Sequence, residues 1–239
     1  MKYKLLFLDT ETTGNEEKDT LCQLCYMYED VLVNELFNPL TPISIESQAV
    51  HHITPKMVAG KPRFLDSSTY TNLQAILEKE ETILVAHNAK FDIGMLEKEN
   101  LFVPTHIDTL RVARALDTKN SIPRYNLQYL RYYLEMDIQA TAHDAMGDVL
   151  VLKELFKRLF DKIQSQENCT DEEVVEKMID ISSKPSLMHQ FSFGKYSGKT
   201  LREVAESDRG YLEWMLNQKL QSETDEEDWI YTLQYYLKK

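Results

Sequence analysis

Asp9 and Glu11 stand two residues apart at the end of an apolar run that begins at Lys4. Side chains in an extended chain alternate with a period of two, so both carboxylates project from one side of the strand. Two like charges held together invite a cation, and carboxylate oxygens suit hard ions such as Mg²⁺ or Mn²⁺. Taken alone, the pair could equally be a solvated strand end. Asp92 follows the buried-strand pattern Ile83-Leu84-Val85-Ala86 and the dipeptide His87-Asn88, at the start of a helical pattern. An acid there could merely favour the helix dipole. His143 and Asp148 open the last helical pattern of the first region, where a histidine alone could be a surface residue. Together, four acids and one imidazole lie at element ends and fit one pocket.

Four linked segments carry a family resemblance: Asp9-Thr10-Glu11-Thr12-Thr13-Gly14, His87-Asn88-Ala89-Lys90-Phe91-Asp92, Tyr125-Asn126-Leu127, and His143-Asp144-Ala145-Met146-Gly147-Asp148. In order and spacing, residues 1 to about 160 resemble the DnaQ-like, DEDD-type 3′–5′ exonucleases of the histidine branch. The resemblance implies a ribonuclease H-like fold and two divalent ions, Mg²⁺ or Mn²⁺, about 4 Å apart around a phosphodiester. It makes Asp9, Glu11, Asp92 and Asp148 the metal-binding acids and His143 the general base. Glu46 to Thr54 looks like the family segment ending in His-Gly-Ile, which implies that Glu46 and His51 sit near the terminal sugar or its 3′-hydroxyl. His52 stands where the family usually has glycine. Phe91 matches a position that packs on the terminal nucleotide, although simple core packing would explain it too; Thr10 joins the implied substrate-binding set.

The elements that must position these residues are legible as a pattern. Lys4 to Asp9, Leu21 to Glu29 and Val31 to Phe37 are closely spaced strand-like runs, which suggests an antiparallel meander. Ile83 to Ala86 and Thr105 to Ile107 follow as strands alternating with helical patterns at about Tyr70–Lys79, Asp92–Glu99, a helix capped by Asp108, Tyr125–Leu134 and Asp144–Phe160. Meander first and βα units later predict an α/β fold: a mixed five-stranded sheet flanked by helices. The expected nuclease domain is 1–164. Residues 165–186, with six acids, two bases and a Ser182-Ser183-Lys184-Pro185 breaker, read as an acidic linker carrying a short helix. Residues 187–239 read as a small α+β domain with a strand-like Gln190–Phe193 and two amphipathic helices.

In that last region, Gly194-Lys195-Tyr196-Ser197-Gly198-Lys199-Thr200 has three residues between its glycines, where a P-loop needs four. Phe191 to Leu201 followed by Tyr211 to Leu216 instead resembles the C-terminal domain of exonuclease X-like proteins. Leu187 to Arg202 contains no acid, and Lys195, Lys199 and Arg202 are interleaved with Phe191, Phe193 and Tyr196. Lysines can track phosphates while bases stack on rings, so this stretch could contact nucleic acid or could simply fill a small core.

The 239-residue chain has 27 Lys and Arg against 39 Asp and Glu, a net charge of -12, which excludes a wholesale basic coat for nucleic acid. A polyanionic substrate must therefore be met by cations or by a local patch. No apolar run approaches the roughly 20 residues of a membrane span, and the N-terminus lacks the apolar stretch of a secretory signal. With three cysteines in no framework spacing, the expectation is a cytoplasmic protein. The expected activity is a 3′–5′ exodeoxyribonuclease of repair or proofreading type, acting on single-stranded or frayed DNA 3′ ends, with replication or repair proteins as partners. An exoribonuclease trimming RNA, or a catalytically silent nucleic-acid-binding module, are the alternatives.

Overall fold

The computed structural model describes residues 2–138, 145–222 and 226–238, so His143 lies outside the described residues. The chain opens with strands β1 (Lys4–Thr12), β2 (Leu21–Tyr28) and β3 (Val31–Leu36), then short helices α1 (Ile45–His51) and α2 (Pro55–Val58) and helix α3 (Ser68–Leu77). Strand β4 (Thr82–Ala86), helix α4 (Ala89–Lys98), strand β5 (His106–Asp108) and helices α5 (Thr109–Leu116), α6 (Leu127–Tyr133), α7 (Ala145–Glu167) and α8 (Asp171–Ser182) follow. The sheet order is β3-β2-β1-β4-β5. β1, β2 and β3 pair antiparallel, whereas β4 runs parallel to β1 and β5 parallel to β4. This is the mixed sheet expected from a meander followed by βα units.

Strand alternation sorts two hydrophobic cores. Leu6, Leu8, Leu84 and Ala86 pack with α3 and α4 on one face. Phe7, Ile83, Val85 and Ile107 pack with α5 to α8 on the other. The same alternation carries Thr10 toward the α4 side and Asp9 and Glu11 toward α7. Cys22 and Cys25 are both fully buried in β2, on different clusters. Burial pushes the Cys22 thiol up to about 12, so it packs protonated, as a small hydrophobe.

The linker expected at 165–186 is not a linker. α7 runs on to Glu167, past the expected boundary, and Val174, Val175 and Met178 of α8 are fully buried in the core beneath α5 and α7. Its acids have a local cause. Thr170 and Glu173 form a capping box, and Asp171, Glu172 and Glu173 occupy the first turn, where carboxylates favour the helix dipole. The acidity thus marks a helix start, and the apolar face at 174, 175 and 178 does the packing.

The C-terminal unit holds helices α9 (Leu201–Ser207), α10 (Arg209–Leu220) and α11 (Glu227–Lys238) around Phe191, Leu212, Met215 and Leu233. The strand expected at 190–193 reduces to one antiparallel bridge between Gln190 and Thr200. Gly194 and Gly198 have φ of 70° and 86°, so the chain reverses before a ladder can extend. α11 is tied to the N-terminal unit: Arg111, with a side chain only 7% exposed, donates to Glu227 and Asp228 at 2.9 Å each and to the Ser182 carbonyl at 2.9 Å. Lys90 reaches Glu227 at 2.5 Å and Arg114 reaches Asp228 at 3.1 Å.

Candidate active site

At the C-terminal end of β1, Asp9 and Glu11 meet Asp148 from the first turn of α7. One carboxylate oxygen of each lies within 4.8 Å of the others. Asp9 and Glu11 are half-buried and Asp148 is buried. An all-oxygen, acidic donor set at this separation fits a hard divalent cation, and without one the three charges repel. The Gln128 side-chain amide donates to Asp148 Oδ1 and orients that carboxylate. Sequence reasoning missed Gln128. Its signal is Asn126, whose side chain caps α6 by accepting from the Tyr129 N–H at 2.8 Å and so sets the turn that carries Gln128.

Asp92 approaches from the other side of the sheet and is not a member of that cluster of three. Asp92 is 4% exposed, and its carboxylate accepts a 2.7 Å hydrogen bond from the Thr10 hydroxyl. Burial raises it to about 7, against the hydrogen bonds from Thr10, which favour the charged form. A neighbouring cation would reverse that shift by favouring the carboxylate. Asn88, in the left-handed conformation before α4, delivers this residue, and the Asn88 N–H is held by Asp108 at 3.0 Å. His87 braces the turn: Nε2 donates to the Tyr125 carbonyl at 2.6 Å and Nδ1 lies 2.9 Å from the Thr109 hydroxyl. Burial holds that imidazole below its ordinary pKa.

The remaining expected residues divide. Phe91 is 36% exposed beside Asp92, so it is not a core ring. Glu46 is exposed on the first turn of α1. His51 is buried: Nδ1 accepts from the Ile53 N–H at 3.0 Å, so Nε2 carries the proton and donates to the Thr12 carbonyl at 3.2 Å. That ring pins α1 to the end of β1. His52 has φ 62° as the cap residue of α1, which explains why glycine suits this place: the left-handed region favours it.

In the C-terminal unit, Phe191 is a core residue, 1% exposed and packed on Tyr211 and Trp229. Tyr196 donates to Asp208 at 2.5 Å, and Lys195 pairs with the same carboxylate at 3.1 Å. Phe193, Lys199 and Arg202 stay exposed. The aromatic and basic stretch is therefore partly core and partly surface.

A ribonuclease H-like sheet with converging carboxylates at the end of its central strand defines a nuclease. The comparisons agree. Residues 6–156 match the model of the Exonuclease family, and residues 191–219 match the Exodeoxyribonuclease X-like C-terminal domain. The chain belongs to this exonuclease family and is an enzyme of that class. It is 31% identical over 225 residues to Exodeoxyribonuclease 10 of Escherichia coli K12, covering 89% of this chain and 90% of that one. It is 30% identical over 160 residues to the DNA polymerase III subunit epsilon of Treponema pallidum, covering 62% and 72%. Among solved structures, exonuclease X in complex with 5′ overhanging duplex DNA superposes with a TM-score of 0.55 at 26% identity, covering 74% of this chain and 99% of that one. An E. coli ExoI–ssDNA complex shares the fold, with a TM-score of 0.58 at 20% identity over 69% of this chain and 43% of that one. Exonucleases of this family use divalent metal ions. No described helix is long and apolar enough to cross a membrane.

Proposed function

We propose that this protein removes nucleotides from the 3′ ends of DNA by metal-dependent hydrolysis, in repair or proofreading. The observation that carries the reading is the convergence of Asp9, Glu11 and Asp148, three oxygen donors within 4.8 Å at the mouth of the sheet. With Asp92 these residues would hold two divalent ions, Mg²⁺ or Mn²⁺. Such ions supply charge compensation for the phosphate and a more acidic water.

The chain's own residues do the rest. His143 takes a proton from the attacking water; the water oxygen bonds to phosphorus as the bond to the 3′-oxygen of the preceding nucleotide breaks. A nucleoside 5′-monophosphate leaves, and the departing 3′-oxygen takes a proton from solvent to become the 3′-hydroxyl of the shortened strand. Gln128 and Thr10 hold Asp148 and Asp92 in orientation. Phe91 and Glu46 face the terminal nucleotide, and His51 fixes the segment that carries Glu46. Partner proteins of replication or repair belong to the same reading.

The test is hydrolysis of matched DNA and RNA oligonucleotides with Mn²⁺. Stepwise shortening of DNA from the 3′ end is expected. Faster shortening of RNA would favour the exoribonuclease, and no hydrolysis of either would favour a silent binding module.

A further inference from the structure

A cavity of about 680 Å³ separates the nuclease unit from the C-terminal unit. Residues 122–127, with His87 and Asn88, form one wall; residues 187–190, with Ser192 and Thr200, form the other. Two of its lining residues belong to the elements that carry the site, Asn88 at the start of α4 and Leu127 at the start of α6. Asn88 lies four residues before Asp92, and Leu127 immediately precedes Gln128, which holds Asp148.

Its lining is unusual for this chain. Acids outnumber bases 39 to 27 overall, yet none of the described residues lining this cavity is a carboxylate, while Arg124 is present together with Arg114, which is shared with Asp228 at 3.1 Å. Neighbouring cavities along the same domain junction include Asp108 and Glu227, or Asp117 and Asp180. Asp117, close behind the wall, is committed elsewhere: it accepts from the Ser121 and Ile122 N–H groups and from the Tyr125 hydroxyl at 2.8–3.0 Å. Those bonds keep its carboxyl below the usual range although burial pushes the other way. They also shape the loop that presents Arg124, which is exposed. Ile122, Leu127 and Leu187 give an apolar floor, and amide side chains such as Asn126 and Gln190 give polar edges. Apolar faces for bases beside cations for phosphates are what a single strand requires.

We infer that this interdomain cleft binds the single-stranded DNA immediately 5′ of the nucleotide being removed, with both domains contributing a wall. The inference rests on the exonuclease reading above and adds to it the path of the strand beyond the active site.

The experiment uses the full chain and two substitutions that each place an anion in the cleft, Arg124→Glu on the nuclease wall and Ser192→Glu on the opposite wall. Affinity for a single-stranded dodecamer, a single-stranded trimer and a 5′-overhang duplex is measured by fluorescence anisotropy without divalent metal, together with wild-type hydrolysis of the two single strands with Mn²⁺. Each variant should lower the ratio of dodecamer to trimer affinity by about tenfold, because an anion replaces a phosphate-facing contact. Arg124→Ala should reduce the slope of log affinity against log salt by about 0.7. An unchanged ratio in both variants, with hydrolysis by the wild type intact, overturns the cleft and leaves the nuclease reading standing. Loss confined to a 5′-overhang duplex would assign the cleft to the complementary strand and equally overturn the inference. If the wild type hydrolyses neither oligonucleotide, the nuclease reading fails, and the strand path falls with it.

Discussion

Replacing Asp92 with asparagine should make the metal-free protein more stable, by an amount that depends on pH in a stated way. The residue is 4% exposed, and burial moves its carboxyl from 3.8 to about 7. A gap of roughly three units is on the order of 4 kcal/mol at 1.36 kcal/mol per unit, with almost no solvent to screen it. Because the folded-state value lies above the unfolded one, this contribution to stability is complete below about pH 4 and is lost as pH rises through about 7. Asparagine keeps an oxygen that can accept from Thr10 and cannot ionise. Urea denaturation in EDTA, followed by circular dichroism, should therefore show the two proteins alike in acid. The Asp92→Asn advantage should grow toward roughly 4 kcal/mol by about pH 8. The buried His87 acts in the opposite sense, losing stability as pH falls, but it is common to both proteins and cancels in the difference. Adding Mn²⁺ at the higher pH should restore the wild type by about 2.7 kcal/mol at a hundred times its dissociation constant. Parallel stability curves for wild type and variant across this range would refute the assignment of Asp92 as a buried acid awaiting a cation.

Asp9→Ala or Asp148→Ala should lower DNA hydrolysis by about 10³-fold, the several kcal/mol a lost metal ligand removes, while thermal stability holds or rises as like charges are relieved. Cleavage within a few-fold of wild type would remove them from the site. His143→Ala should cost roughly 10²–10⁴ in turnover and flatten the pH profile; a wild-type rate and profile would point to another base. His52→Gly relieves a left-handed residue and should raise stability by up to about 1 kcal/mol, some of the gain being offset by entropy of the unfolded chain; a lower melting temperature would contradict this. Arg111→Ala should cost about 1.5–3 kcal/mol through lost charge-assisted hydrogen bonds, and should speed proteolysis in the 183–186 segment. Unchanged cleavage there would mean that α11 is held by other contacts.

The local pattern determined most of the site. A period of two put Asp9 and Glu11 on one side of β1, and the apolar runs at 21–29, 31–37 and 83–86 announced the sheet and its mixed direction. These are short-range consequences of backbone geometry, so residues near in sequence suffice to state them. What only the tertiary structure decided depends on partners far away in the chain. The acids of 165–186 looked like a solvated linker, but Val174, Val175 and Met178 find their places under α5 and α7, and burial of that face outweighs the charge. Phe191 and Phe193 are two residues apart with the same side chain; one closes the small core against Trp229 and Leu233, and the other faces out. Gln128 gained its role only because α6 brings it to Asp148, twenty residues on. The acid-free cleft needed two domains to meet, held by Arg111 and the carboxylates of Glu227 and Asp228. A sequence states what a side chain can do, and the desolvation and charge that decide its use come from residues the fold places beside it.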